Sequence, residues 1–327
     1  MVSLKDLASK HNLLIGTAVA VNHLDNDQKY RDIISREFNI ITPENDMKMW
    51  ALRPNRETFF FEKADKIISF ADSNGMKVRG HTLVWDHHRT KWLTEGNFSP
   101  EVTKNILEDH IKKTVEHFRG KLYAWDVVNE PIHNDKFGPE NFWYEKLGPD
   151  YIEWAFRWTH EVDPKAKLFI NEWGMEDVNG KSDAMYELVK YLLKKKVPIH
   201  GIGFQMHRGI GNPKLTGSMP NLKNMEENFK RFADLDLEIH VTEMDIQTYG
   251  FKGAIEETLK AQGEAYAGVV KTILKIPPVK ALLFWGIFDQ YSWIPYCFNH
   301  PDMAHLFDEN YQPKPSYFSV AETLENS

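Results

Sequence analysis

Trp125-Asp126-Val127-Val128-Asn129-Glu130 and Ile239-His240-Val241-Thr242-Glu243-Met244-Asp245 are two short strand-like runs that close around a glutamate. Their β-branched and aromatic residues suit a pleated, buried surface. A single carboxylate at a strand end is ordinarily a solvated rim residue. Here two of them stand 113 residues apart. If both runs are parallel strands of one barrel, their C-terminal ends open into the same mouth and the carboxylates share it.

The rest of the chain supports that barrel. Eight β-rich runs are legible: Leu13–Val19, Asn39–Glu44, Lys77–Trp85, Leu122–Glu130, Lys167–Trp173, His200–His207, Leu237–Asp245 and Lys280–Asp289. Several are continuous apolar stretches, the mark of parallel strands covered on both faces. Helical periodicity separates them. Thr103 to Phe118 puts Ile106, Leu107, His110, Ile111, Val115 and Phe118 on one stripe, and Ser182 to Lys195 does the same with Met185, Leu188, Val189 and Leu192. Asn221 to Leu235 and Ile255 to Leu274 are further helices. Strand followed by helix, eight times, predicts an α/β protein: a single-domain (β/α)8 TIM barrel over residues 1–327, with its site at the C-terminal ends of the strands. The rival, an open doubly wound sheet, would be expected to carry a glycine-rich phosphate turn after its first strand, and Gly16-Thr17-Ala18-Val19 is not one. By strand count Glu130 closes the fourth run and Glu243 the seventh, nearly opposite in an eight-stranded ring.

Composition narrows the function. The 327 residues carry a net charge of −7, which argues against a nucleic-acid partner because no basic excess exists to neutralise phosphates. No run approaches the roughly 20 apolar residues of a membrane span. A lone cysteine, Cys297, excludes an intrachain disulfide framework. The first residues lack the basic-then-apolar pattern of a secretory signal, so a cytoplasmic location is expected, or a secreted one if a leader has been trimmed. Ten Trp, twelve Tyr and twenty Phe supply more flat apolar faces than a core alone requires. Such faces also stack on sugar rings, and a facing carboxylate pair is what glycoside hydrolysis uses.

Other strand ends are loaded with polar and aromatic groups: Glu44-Asn45-Asp46-Met47-Lys48, Gly80 to Trp85, Gly201 to His207, and Phe284 to Asp289 followed by Ser292-Trp293. With Trp125 to Glu130, Thr242 to Asp245, Leu306-Phe307-Asp308 and Pro313-Lys314-Pro315, these stretches resemble glycoside hydrolase family 10, the endo-β-1,4-xylanases, across almost the whole chain. The resemblance implies a retaining double displacement with Glu130 as acid/base and Glu243 as nucleophile, the carboxyls about 5–5.5 Å apart. It implies that His207 and Asp245 orient Glu243, that Asn129 grips a sugar 2-hydroxyl, and that Glu44, Asn45, Lys48, His81 and Gln205 bind sugars on the non-reducing side. Trp85, Trp285 and Trp293 would form aromatic walls, and the tryptophans near the end of the barrel would also crowd the space a hexose hydroxymethyl needs. No cofactor and no metal are implied, and the partner is xylan or a xylo-oligosaccharide.

Some positions depart from the family pattern. Asp86-His87-His88 follows Trp85 where the family usually has a histidine and, two residues later, a glutamine. As a metal site this triplet is disfavoured, because successive strand residues face opposite ways. The expectation is altered contacts near the acid, with His88 replacing the glutamine. Trp173 stands where a tyrosine commonly stacks beyond the scissile bond, and Arg208 where an apolar residue is common. These departures leave open a relative that prefers short oligosaccharides, another β-glycoside or transfer to a sugar. A xylan-binding barrel without turnover is the remaining alternative, and the presence of both glutamates argues against it.

Overall fold

Parallel strands and helices alternate along the chain in a computed structural model that describes residues 2–87, 89–212 and 217–327. Strands β1 (Leu14–Val19), β2 (Ile40–Pro43), β3 (Lys77–Trp85) and β4 (Ala124–Asn129) are joined by helices α1 (Gln28–Glu37), α2 (Glu62–Ser73) and α3 (Pro100–His117). Helix α4 (Tyr151–Val162) leads to β5 (Lys167–Glu172), α5 (Gly180–Lys194) to β6 (Gly201–Phe204) and α6 (Leu222–Ala233) to β7 (Glu238–Gln247). Helix α7 (Ile255–Ile273) leads to β8 (Val279–Phe284), and α8 (Pro315–Asn326) follows. Each strand pairs in parallel with the next, and β8 returns to β1 with Leu14 opposite Ala281 and Thr17 opposite Phe284. The ring is closed, as the sequence predicts.

Local signals set the helix starts. Helix α3 begins three residues before the expected Thr103 because Ser99 accepts the Val102 N–H and Pro100 occupies the first turn. Helix α5 begins at Gly180 because Asn179 and Ser182 form a reciprocal capping box. Strand ends differ more. β8 stops at Phe284 instead of reaching Asp289, since Gly286 turns the chain at φ +95°. The sixth run breaks after Phe204, and His207–Gly209 pairs separately with Asp245–Gln247. Strand β7 runs on to Gln247, so Glu243 lies inside it, at the rim where pairing with the barrel neighbours ends.

The strands bury both faces. Ile41, Leu282 and Phe284 join the large cluster between sheet and helices, whereas Ile40, Ala281 and Leu283 form a separate cluster with Leu14 and Tyr123. The alternation of side chains places this second cluster inside the barrel. Above it the interior is polar: Arg79 is fully buried, its Nε 3.2 Å from Asp126 and its Nη1 2.6 Å from His240. Among the described residues no helix is long and apolar enough to cross a membrane.

Candidate active site

Glu130 and Glu243 open onto one cleft of about 740 Å³ at the C-terminal rim. Glu44, Asn45, Lys48, His81, Trp85, Asn129, Gln205, His207, Trp285 and Trp293 line the same cleft. Asp245 lies behind its wall, fully buried. The strand ends therefore converge as the sequence spacing predicts.

The two glutamates are held by different kinds of partner. Glu243 Oε2 lies 3.2 Å from His207 Nε2, and its Oε1 accepts a 2.6 Å hydrogen bond from Asn171 Nδ2. His207 in turn places Nδ1 2.8 Å from Asp245, which also accepts a 2.7 Å bond from Trp293 Nε1. Burial alone would discharge the imidazole, but Asp245 first and then Glu243 outweigh it and push the His207 pKa up to about 10. Burial likewise opposes ionisation of Glu243, yet the His207 hydrogen bond and the His81 and His207 charges hold its carboxyl below the usual range. The result is an imidazolium between two carboxylates, with Glu243 kept ionised and aimed.

Glu130 has neutral donors. The residue follows β4 in a left-handed conformation, φ +53°, pinned by its N–H to the Asn171 carbonyl at 2.9 Å. Its Oε2 accepts Trp85 Nε1 at 2.9 Å and its Oε1 accepts Gln205 Nε2 at 3.0 Å. His87 Nε2 stands 3.9 Å from Oε2, outside hydrogen-bond distance. Asn129 links the halves: its Oδ1 accepts Asn171 Nδ2 at 2.9 Å and Gln205 Nε2 at 3.3 Å. With that oxygen doubly occupied, the amide nitrogen is the end of Asn129 available to a ligand.

Lys48 lies 4.9 Å from the Trp85 ring centroid and 5.8 Å from that of Trp285, and donates to Asn45 Oδ1 at 3.0 Å. Burial lowers the Lys48 pKa and raises that of Glu44, with opposite charges partly offsetting both. This end of the cleft is a set of desolvated polar groups between flat indoles, suited to an uncharged polyhydroxylated ligand.

The departing positions sort by location. Asp86 turns from the cleft, accepting the Phe142 N–H at 2.9 Å and pairing with Arg89. His87 lines the cleft, and His88 lies outside the described residues. Trp173 lines the cleft half-exposed, with Lys181 Nζ 3.9 Å over its ring. Lys181 also pairs at 2.9 Å with the buried Glu172, whose pKa burial pushes up to about 7. Arg208 does not reach the cleft; it is buried against Glu176.

Asn171 is the functional residue that sequence reasoning missed. Its amide touches Glu243 and Asn129, and its Oδ1 accepts Thr242 Oγ1 at 2.7 Å. The available signal was Gly203 on the adjoining strand: a Cβ there would stand 2.2 Å from Asn171 Oδ1, so glycine leaves the room the amide fills.

The sequence model of glycosyl hydrolase family 10 matches residues 3–323. The chain is 44% identical to endo-1,4-beta-xylanase B of Thermotoga neapolitana over 99% of its own length and 92% of the relative's. The fold is similar to the crystal structure of native xylanase 10B of Thermotoga maritima, with a TM-score of 0.94 at 44% identity, covering 99% of this chain and 98% of that one. It is equally similar, at TM-score 0.94 and 43% identity and with the same coverage, to xylanase 10B of Thermotoga petrophila RKU-1 in complex with xylobiose.

Proposed function

The chain belongs to glycosyl hydrolase family 10, and on that footing we propose how its cleft carries out retaining hydrolysis of β-1,4-xylan. It is a glycoside hydrolase of the endo-1,4-β-xylanase class. Glu243 attacks the anomeric carbon while Glu130 gives its proton to the departing oxygen, and the C–O bond of the aglycone breaks. Glu130, now a base, takes a proton from water as the water oxygen bonds to the anomeric carbon of the glycosyl–Glu243 ester; the bond to Glu243 breaks, its carboxylate leaves, and the sugar is released with its β configuration.

One observation carries the division of roles. Glu243 is bound by a cation, the His207 imidazolium, which favours the charged nucleophile. Among the described residues Glu130 accepts hydrogen bonds from the neutral donors Trp85 and Gln205 and from no cation. Asn129, its oxygen committed internally, donates through nitrogen to the 2-hydroxyl, and the indoles with Lys48, Glu44, Asn45 and His81 receive the non-reducing sugars. The xylobiose complex of the Thermotoga petrophila relative supports a xylo-oligosaccharide ligand.

The test is product analysis on beechwood xylan, xylohexaose and carboxymethylcellulose, followed by anomeric NMR. Initial release of β-anomers from the xylose polymers is expected, and no cleavage of any of them sinks the proposal. Glu243→Ala should lose turnover and regain some with azide, giving an α-azide. Glu130→Ala on an activated aryl xyloside should give the β-azide instead. The reverse pattern exchanges the two roles.

A further inference from the structure

Behind the nucleophile and its histidine lies another charged layer. Glu176 is in the loop between β5 and α5 and is fully buried. A buried carboxylate costs several kcal/mol unless it is paired, so its partners indicate what it is for. Oε1 accepts the Met206 N–H at 2.8 Å, and Oε2 pairs with Arg208 Nη2. Glu176 thus grips the residues on both sides of His207 and does not touch His207 itself.

The segment it grips is strained and lies beyond the end of β6. Met206 has φ +67°, a left-handed conformation unfavourable for a side chain of that size. β6 has already ended at Phe204, and the chain then pairs with the extension of β7, through His207–Gly209 opposite Asp245–Gln247 and the Ile210 N–H on the Gln247 carbonyl at 2.9 Å. Glu176 is fixed in turn from α6: the buried Asn228 Nδ2 donates to the carbonyls of Met175 at 2.7 Å and Glu176 at 3.1 Å. Gly217 leaves space for the guanidinium, since a Cβ there would stand 2.6 Å from Arg208 Nη1. The ties run from α6 through Asn228, Glu176 and the 206–208 backbone to His207 and Glu243.

We propose that Glu176, with Arg208 as counter-ion, is a positioning residue for the nucleophile, setting the height and angle of the His207 ring against Glu243. The inference rests on the reading of Glu243 as nucleophile and deepens it. A misplacement near 1 Å at a reacting group costs about 100-fold in rate, while sugar binding through the indoles and Lys48 is untouched.

The experiment measures inactivation by 2,4-dinitrophenyl 2-deoxy-2-fluoro-β-xylobioside, which bonds the nucleophile to C1 as dinitrophenolate leaves. That leaving group needs no proton, so the rate reports nucleophile placement and not Glu130. In Glu176→Ala the inactivation rate constant is expected to fall about tenfold or more, with the dissociation constant of the reagent within about threefold of the parent. Should that variant fail to fold, Glu176→Leu/Arg208→Met replaces the ion pair by apolar groups, an exchange buried pairs tolerate, and the same loss is expected. A smaller loss, or one carried by the dissociation constant, overturns the inference. Peptide mapping of the parent separates this failure from the other: label on a residue other than Glu243 overturns the reading of the site itself.

Discussion

Replacing Asn171 by aspartate exchanges one atom for another of nearly the same size at the centre of the site. The amide nitrogen that donates to Glu243 at 2.6 Å and to Asn129 at 2.9 Å becomes an oxygen. Loss of the charge-assisted bond alone is worth about 1.5–3 kcal/mol. A second charge adds more: two carboxylate oxygens at that separation repel by about 6 kcal/mol with an effective dielectric constant near 20. Both cannot ionise together, so the pair holds one proton across the neutral range, as carboxylate dyads do. Glu243 is then part-protonated and a poor nucleophile. kcat/KM on 2,4-dinitrophenyl β-xylobioside, which needs no acid, is expected to fall about 100-fold or more at pH 6, with its acid limb moved up by about two pH units. Asn171→Ala loses only the hydrogen bonds and should fall about tenfold with the limb unmoved. If the Asp and Ala variants show the same acid limb, the reasoning that Asn171 controls the charge of Glu243 is wrong.

Three further outcomes are expected. Lys181→Met strips Glu172 of its cation; because the Glu172 pKa lies at about 7, the carboxyl is neutral below that and the loss grows as pH rises through it, to about 3 kcal/mol at pH 8.5 by urea unfolding. The His207 pKa is raised to about 10 from 6.5, so its stabilisation is complete below pH 6.5 and lost as pH climbs towards 10; the stability gap between parent and His207→Gln should narrow over that window and not below it. Gly201→Ala brings a Cβ to 2.1 Å from the Phe169 ring and 2.6 Å from the Glu238 carbonyl, which should cost about 1–3 kcal/mol of stability, and a neutral result in thermal unfolding would contradict the tight β5–β6–β7 packing.

Much of this site was legible because period and spacing are local properties. Continuous apolar runs mark strands covered on both sides, and their recurrence with helices between them leaves a closed parallel ring as the economical solution. Residues at the C-terminal ends then share one mouth regardless of distance in sequence, which is why Glu44, His81, Glu130, Gln205 and Glu243 could be grouped in advance. Strand ends were less legible. Nothing in Leu237–Asp245 says that β7 continues to Gln247, because that continuation depends on His207–Gly209 arriving from another part of the chain. Asp86 and Arg208 show the same limit: their partners, the Phe142 N–H and Glu176, are 56 and 32 residues away.

The two glutamates, their strands and their barrel were determined by the sequence alone, since patterning and chain order constrain them directly. What keeps Glu243 charged was decided by tertiary structure. His207 stays an imidazolium above its ordinary range because folding sets it between Asp245 and Glu243, and Asn171 reaches Glu243 because Gly203 leaves the space. Ionisation depends on distances of a few ångströms between residues far apart in the chain, and the packed barrel is what brings them that close.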